Sequence, residues 1–245
     1  MKVSNFIIMF MICMLGLSIV TTVNTKNLDA MTKKQIEYNN AVDTAVEDAA
    51  QQIVNVDDNR GIFKDKDTVL QNYFASLYAN LGALSDSTAQ TMIQLYTPVF
   101  AIIDNSGCFI NYCTEATLPQ DASSGAVSLV RTWSCKYPYG MTEGDFVYSF
   151  RLDGTIRVLR KSDNLVLVGT YKDIAGAHVG SMCDTLSESE VTEIMHKVII
   201  DTIEKKMSYF INKHNDVANS AGLDYKFSMP VITDASWSNT IKDTS

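Results

Sequence analysis

The stretch "DFVYSFRLDGTIRVLRKSDNLVLVGTY" (Asp145–Tyr171) decides the fold class. Its apolar residues alternate with polar ones instead of recurring every three or four positions. Phe146, Tyr148, Phe150 and Leu152 fall on one side of an extended segment. Asp153-Gly154 is a two-residue turn signal, "TIRVLRK" returns, and Ser162-Asp163-Asn164 turns again into "LVLVGTY". Three strands joined this closely form an antiparallel meander.

The same period of two extends upstream. "TPVFAIID" and "CFINYC" flank Asn105-Ser106-Gly107 and read as a hairpin. "VSLVRTW" alternates, with Val127, Leu129, Arg131 and Trp133 on one side. Together these segments predict one antiparallel sheet of about five strands.

Helical periods frame the sheet. "KDTVLQNYFASLYANLGAL" sets Val69, Leu70, Tyr73, Phe74, Leu77, Tyr78 and Leu81 on one broad face. Ser87 with Gln90 reads as a capping box for a short helix reaching Leu95, and Ser187 with Glu190 as another. The second opens a long helix whose core face is Val191, Ile194/Met195, Val198, Ile203, Met207, Phe210/Ile211, His214 and Val217/Ala218, with Gly222 as its stop. "DYKFSMPVI" is expected to add an edge strand. The fold class is α+β.

The N-terminus is of a different kind. Phe6 to Val23 is a run of 18 residues without a charge. As a helix it is about 27 Å long, close to the hydrocarbon thickness of a bilayer. It is long for the apolar part of a cleaved signal and lacks a clear small-residue cleavage site, so it reads first as an uncleaved anchor, with a cleaved signal and then a buried soluble helix as the alternatives. "DAMTKKQIEYNNAVDTAVEDAAQQIV" then repeats Tyr38, Val42, Ala45/Val46, Ala49 and Ile53 at helical spacing. No helix breaker intervenes, so anchor and amphipathic half form one helix of about 45–50 residues, roughly 70 Å long. "DDNRG" at 57–61 ends it. The expected organisation is a transmembrane anchor over 1–27, an extracytoplasmic α+β domain over 28–232 and a polar tail over 233–245.

With 46% apolar residues, four prolines and no low-complexity tract, the chain has the composition of a folded protein. Its formal charge of −8 argues against nucleic acid or an anionic lipid surface as partner. Location follows from the anchor and the acidic domain behind it: a single-pass cell-membrane protein with its C-terminal domain outside, held in the bilayer through Phe6–Val23.

Candidate chemistry is sparse. Cys108, Cys113, Cys135 and Cys183 could form disulfides in three pairings or remain buried thiols, and spacing does not choose. His196 and His214 share a helix face but lie about 27 Å apart, too far for one metal. "EIMH" (Glu193–His196) has the spacing of half a carboxylate-bridged di-iron site, with no second copy. His178 and Cys183 could meet as base and nucleophile only through tertiary structure. No nucleophile elbow, phosphate-binding glycine loop or zinc-protease motif is present. No cofactor, metal site or catalytic residue is assigned, and the chain reads as a non-enzyme. The aromatic residues Trp133, Phe146, Tyr148 and Phe150 could floor a ligand pocket, or simply build the sheet's core.

A long N-terminal helix, first hydrophobic and then amphipathic, followed by an antiparallel sheet, is similar to the pilin plan. The segments "NNAVDTAVEDAA", "FASLYANLG", "LYTPVFAIIDNSGCFINY" and "IIDTIEKKMSYFINKHNDVANSAGLDYKFSMPVI" resemble a group of uncharacterised Firmicute envelope proteins associated with tight-adherence-type pilus clusters. The resemblance implies a structural or assembly component of a pilus-like or secretion apparatus, with other envelope proteins as partners. Prepilins of the type IV class carry a glycine just before the hydrophobic run and a glutamate five residues into it. Here Gly16 is mid-run and the run holds no acid, which implies an accessory protein rather than a major subunit. "VFAIIDNSGCFINYC" and the meander also look like extracytoplasmic Cache or PAS-like sensors. That resemblance implies a small ligand on the aromatic sheet face and signalling through a partner.

Overall fold

The computed structural model describes residues 30–51, 65–117, 128–220, 222 and 226–229. The expected anchor at Phe6–Val23, the stop at 57–61, Val127 and the tail over 233–245 lie outside the described residues. Among the described residues no helix is long and apolar enough to cross a membrane.

In chain order the elements are α1 (30–51), α2 (Lys66–Asn80), α3 (Ser87–Leu95), β1 (Val99–Asp104), β2 (Gly107–Thr117), β3 (Ser128–Trp133), β4 (Tyr137–Pro138), β5 (Gly140–Glu143), β6 (Phe146–Phe150), β7 (Ile156–Arg160), β8 (Leu165–Gly169), α4 (Tyr171–Ala175), α5 (Met182–Thr185) and α6 (Glu188–Ser220). The α+β class holds. The single five-stranded sheet does not: the strands form two antiparallel sheets of four. In the first, β2 carries β1 on one edge and β3 followed by β4 on the other. In the second, β5 to β8 run in sequence, so the predicted meander gains β5 as a fourth strand.

The extra sheet arises where the chain changes partners. β3 ends at Trp133, the Ser134 N–H still donates to the Ile110 carbonyl of β2 at 2.8 Å, and strand pairing with β2 resumes at Tyr137 in β4. Two residues after β4, Gly140 opens the second sheet opposite Ser149. A β-carbon at Gly140 would stand 2.8 Å from the Tyr148 carbonyl oxygen, so the crossing requires glycine. Tyr139, between the two pairings, is fully buried. Its carbonyl accepts the Phe150 N–H at 2.8 Å, and its hydroxyl donates towards the Gly107 and Asp104 carbonyls, at 2.9 and 3.2 Å.

The core is built by α6, whose 33 residues extend about 50 Å. Val191, Met195, Ile199 and Ile203 join Tyr148, Phe150, Ile156 and Val158 of the meander in one buried cluster. Further along, Phe210 packs its ring 4.2 Å from that of Tyr112 on β2. The helix starts as its sequence dictates. Glu190 accepts from the Ser187 backbone N–H and hydroxyl, both at 2.8 Å, and the Ser187 hydroxyl accepts the Glu190 N–H at 3.4 Å.

Other local expectations are corrected. The cap of α3 is Asp86, not Ser87: its carboxylate accepts the N–H groups of Thr88 and Ala89, both at 3.0 Å. Residues 226–229 are not part of a strand. Asn215 of α6 takes the place of a strand partner: its side chain accepts the Phe227 N–H and donates to the Phe227 carbonyl, both at 2.8 Å.

Within 28–232, read from sequence as one domain, the chain divides into two compact units. The first holds α1 and α2. Here Ala41, Ala45 and Ala49 are buried on α1, and Val69, Tyr73, Phe74 and Leu77 on α2. Ser76 donates to the Asp48 carboxylate at 2.5 Å across the pair. The second unit holds everything from Asp86 onward, including both sheets and α6.

Candidate functional site

The aromatic residues picked out as a ligand floor do not gather. Phe146, Tyr148 and Phe150 follow one another along β6, where Tyr148 and Phe150 stack with centroids 6.3 Å apart and are buried in the core. The Tyr148 hydroxyl accepts the Met182 N–H at 2.9 Å. Trp133 belongs to the other sheet, edge-on to Phe100 at 6.2 Å.

The four cysteines are free thiols. Cys108 and Cys113 sit five residues apart on β2, an odd spacing that sends them to opposite faces. Cys108, Cys113 and Cys183 are buried, and burial pushes all three thiols up, Cys108 to about 11. They are protonated packing residues, not nucleophiles. Cys135 is exposed. His178 is exposed, in a left-handed conformation (φ 49°), with its Nδ1 3.9 Å from Asp184. Cys183, its imagined partner, is sealed in the core. Among the described residues no group of three or more His, Cys, Asp or Glu could hold a metal ion.

Two surfaces stand out. The first is on α1. Beside the buried alanines run Met31, Tyr38, Val42 and Val46, exposed by 41–70%. At 100° per residue these four lie within about 80° of one another, one stripe along the helix.

The second is a concavity of about 620 Å³ at the junction of the two sheets. It is lined by Lys136, Arg151 and Arg157, by hydroxyls of Ser106, Ser149 and Thr155, and by Val168. The frame beneath it is closely tied. Asn105, in the β1–β2 turn, exchanges two side-chain hydrogen bonds with Asp153: its amide donates to the carboxylate at 2.8 Å, and its oxygen accepts the Asp153 N–H at 3.1 Å. Its backbone carbonyl accepts the Leu152 N–H at 2.9 Å. Arg151 therefore sits in a loop pinned on both sides, its own N–H bonded to the Thr155 carbonyl at 3.0 Å. Arg157 projects from the meander face opposite Ile156 and Val158, with Ser149 and Val168 as cross-strand neighbours. Lys136 pairs with the buried Asp104 carboxylate and donates to the Ser106 hydroxyl at 2.7 Å. The two arginine heads make no hydrogen bond or ion pair among the described residues, although the Arg151 charge helps hold the Asp153 carboxyl low.

Sequence reading passed over these cations. The outward parity of Arg157 within "TIRVLRK" is legible, but its meeting with Lys136 depends on the Asn105–Asp153 clasp, made between residues 48 apart. The architecture is thus one α+β unit, with two four-stranded antiparallel sheets and a long helix, and one two-helix unit. No family model, curated protein or solved structure matches the chain.

Proposed function

We propose that this chain is a non-enzymatic, membrane-anchored extracytoplasmic component of a pilus-like or secretion apparatus, acting in its structure or assembly. The observation that carries the reading is the apolar stripe of Met31, Tyr38, Val42 and Val46, exposed on α1 a few residues after the 18-residue apolar run. A helix whose apolar arc extends past the alanines it already buries is suited to packing against another helix.

Magnitudes explain why the tether matters. Burying four such side chains yields about 1.5–3 kcal/mol each, whereas association costs on the order of 4–15 kcal/mol in lost freedom. In free solution the contact is marginal. Confinement to a bilayer raises the effective concentration and tips the balance towards assembly. The sequence resemblance to envelope proteins of tight-adherence-type clusters supports the same reading. The sensor reading draws no support from the aromatic residues, because α6 fills the face where its ligand would lie.

Fractionation and crosslinking test the proposal. Full-length protein is expected in the carbonate-resistant membrane pellet, and a photo-crosslinker placed at Tyr38, 56% exposed on the same stripe, is expected to capture an envelope protein or a second copy of the chain. Val42→Glu with Val46→Glu should abolish capture while leaving the fold intact. Recovery of intact, uncleaved chain in the carbonate-soluble fraction would overturn the reading.

A further inference from the structure

We infer that the concavity between the two sheets is a binding site for a small organic oxyanion, a molecule carrying a phosphate or carboxylate group. The chain has 28 acidic residues against 20 basic ones, yet no carboxylate lines this concavity and three cations do. Lys136 is charge-balanced by Asp104 beneath it and the Asp153 carboxylate offsets part of the Arg151 charge, so the net positive charge facing the concavity is that of Arg157 and the remainder of Arg151. Guanidinium groups present fixed forks of donors that match the oxygens of phosphate or carboxylate, and charge-assisted hydrogen bonds of this kind are the strong ones. Ser149 borders the same space, and its hydroxyl supplies a further donor. Val168, 60% exposed, gives an apolar wall for the rest of the ligand. A volume of about 620 Å³ falls in the range of small-molecule sites and exceeds what a bare ion fills.

Preorganisation separates this from a chance meeting of surface arginines. The clasp between Asn105 and Asp153, and the backbone bonds of Phe150, Arg151 and Leu152, hold the Arg151 backbone in place. Arg157 is set by its strand register against Ser149 and Val168. Neither backbone position has to be ordered when a ligand arrives, which lowers the entropic cost of binding.

Isothermal titration of the full chain in detergent micelles, at low ionic strength, tests the site with inorganic phosphate and citrate as probes. At least one probe is expected to bind saturably, more weakly as salt is added. Arg151→Ala with Arg157→Ala should weaken it by at least about tenfold, the scale of one or two lost charge-assisted bonds. Lys172→Ala, which removes an exposed cation of α4 outside the concavity, should leave it unchanged. Preference for phosphate would identify a phosphate-bearing ligand, and preference for citrate a carboxylate-bearing one. Should the double variant not fold, the exposed Arg157→Gln alone is expected to lower affinity severalfold. Absence of saturable binding by both probes, or binding untouched by the arginine substitutions, would overturn the inference. Membrane association and crosslinking through α1 are read out separately, so either proposal can fail alone.

Discussion

His214 is fully buried on α6, and its burial, reinforced by the positive charge of Arg131, holds the imidazole below its ordinary pKa against a weaker upward pull from the Leu95 backbone. The unfolded chain therefore takes up a proton near pH 6.5 that the folded chain refuses. Below that pH the unfolded state binds more protons, so stability falls as the pH falls; above it this residue contributes no pH dependence. Urea midpoints measured from pH 7.5 down to 5 should decline, and His214→Gln should flatten that part of the profile. A slope unchanged by the substitution would show that other groups carry it. Asn105 is the second residue whose removal is informative. Burial alone would raise the Asp153 carboxyl, but hydrogen bonds from Asn105 and Thr155 outweigh it and hold the group below the usual range. Asn105→Ala deletes both side-chain links to Asp153 and should cost about 1–2 kcal/mol. The same variant frees the Arg151 loop. Its probe affinity at the sheet junction should drop although no cation has been removed, as titration beside the wild type would reveal.

At the level of elements, the long helix and the three-stranded part of the meander were legible because their signals are local. Ser187 and Glu190 are three residues apart, and the alternation in β6 and β7 needs no distant partner to be seen. Ser187→Ala should cost about 1 kcal/mol in a denaturation experiment, the usual worth of an N-cap. The short strands β4 and β5 were not legible. "KYPYGMTEG" has no clear alternation, and its pairing is fixed by the buried Tyr139 and by Gly140's approach to the Tyr148 carbonyl. Arg131 was read on an otherwise apolar side of β3 without a role. Its guanidinium closes the C-terminal end of α3, with Nη1 donating to the Gln94 and Thr97 carbonyls at 3.0 and 2.8 Å. That duty connects positions 37 and 34 residues apart, so no periodicity reports it. In α1 the period was correctly helical, but pattern alone put Tyr38, Val42, Ala45/Val46 and Ala49 in one set without saying which of them a partner covers. The division between buried alanines and exposed Met31, Tyr38, Val42 and Val46 depends on which partner α1 meets.

For the whole molecule, the distribution of buried residues assigns stability unequally to the two units. The cluster centred on Tyr148, Phe150 and Ile199 draws all of its members from residues beyond Asp86. Aromatic and aliphatic side chains of this size each contribute about 1.5–3 kcal/mol when fully buried. On α1, by contrast, the buried residues are three alanines, and two helices of 22 and 15 residues are marginal by themselves in water. A fragment beginning at Asp86 should therefore unfold in one cooperative thermal transition within about 5 °C of the full chain's main transition, whereas a 30–85 fragment should be largely unstructured by circular dichroism. In the full chain, hydrogen exchange should be faster in α1 and α2 than in β6, β7 and the first half of α6, since local opening there disrupts less buried surface. The pattern has a functional corollary. If α1 is the assembly surface, its partner covers the exposed stripe of Met31, Tyr38, Val42 and Val46, and α1 exchange should slow in crosslinked membrane complexes while β6 and β7 stay unchanged. Equal protection of α1 in free and assembled protein would separate the stability of this unit from assembly and remove the link between them.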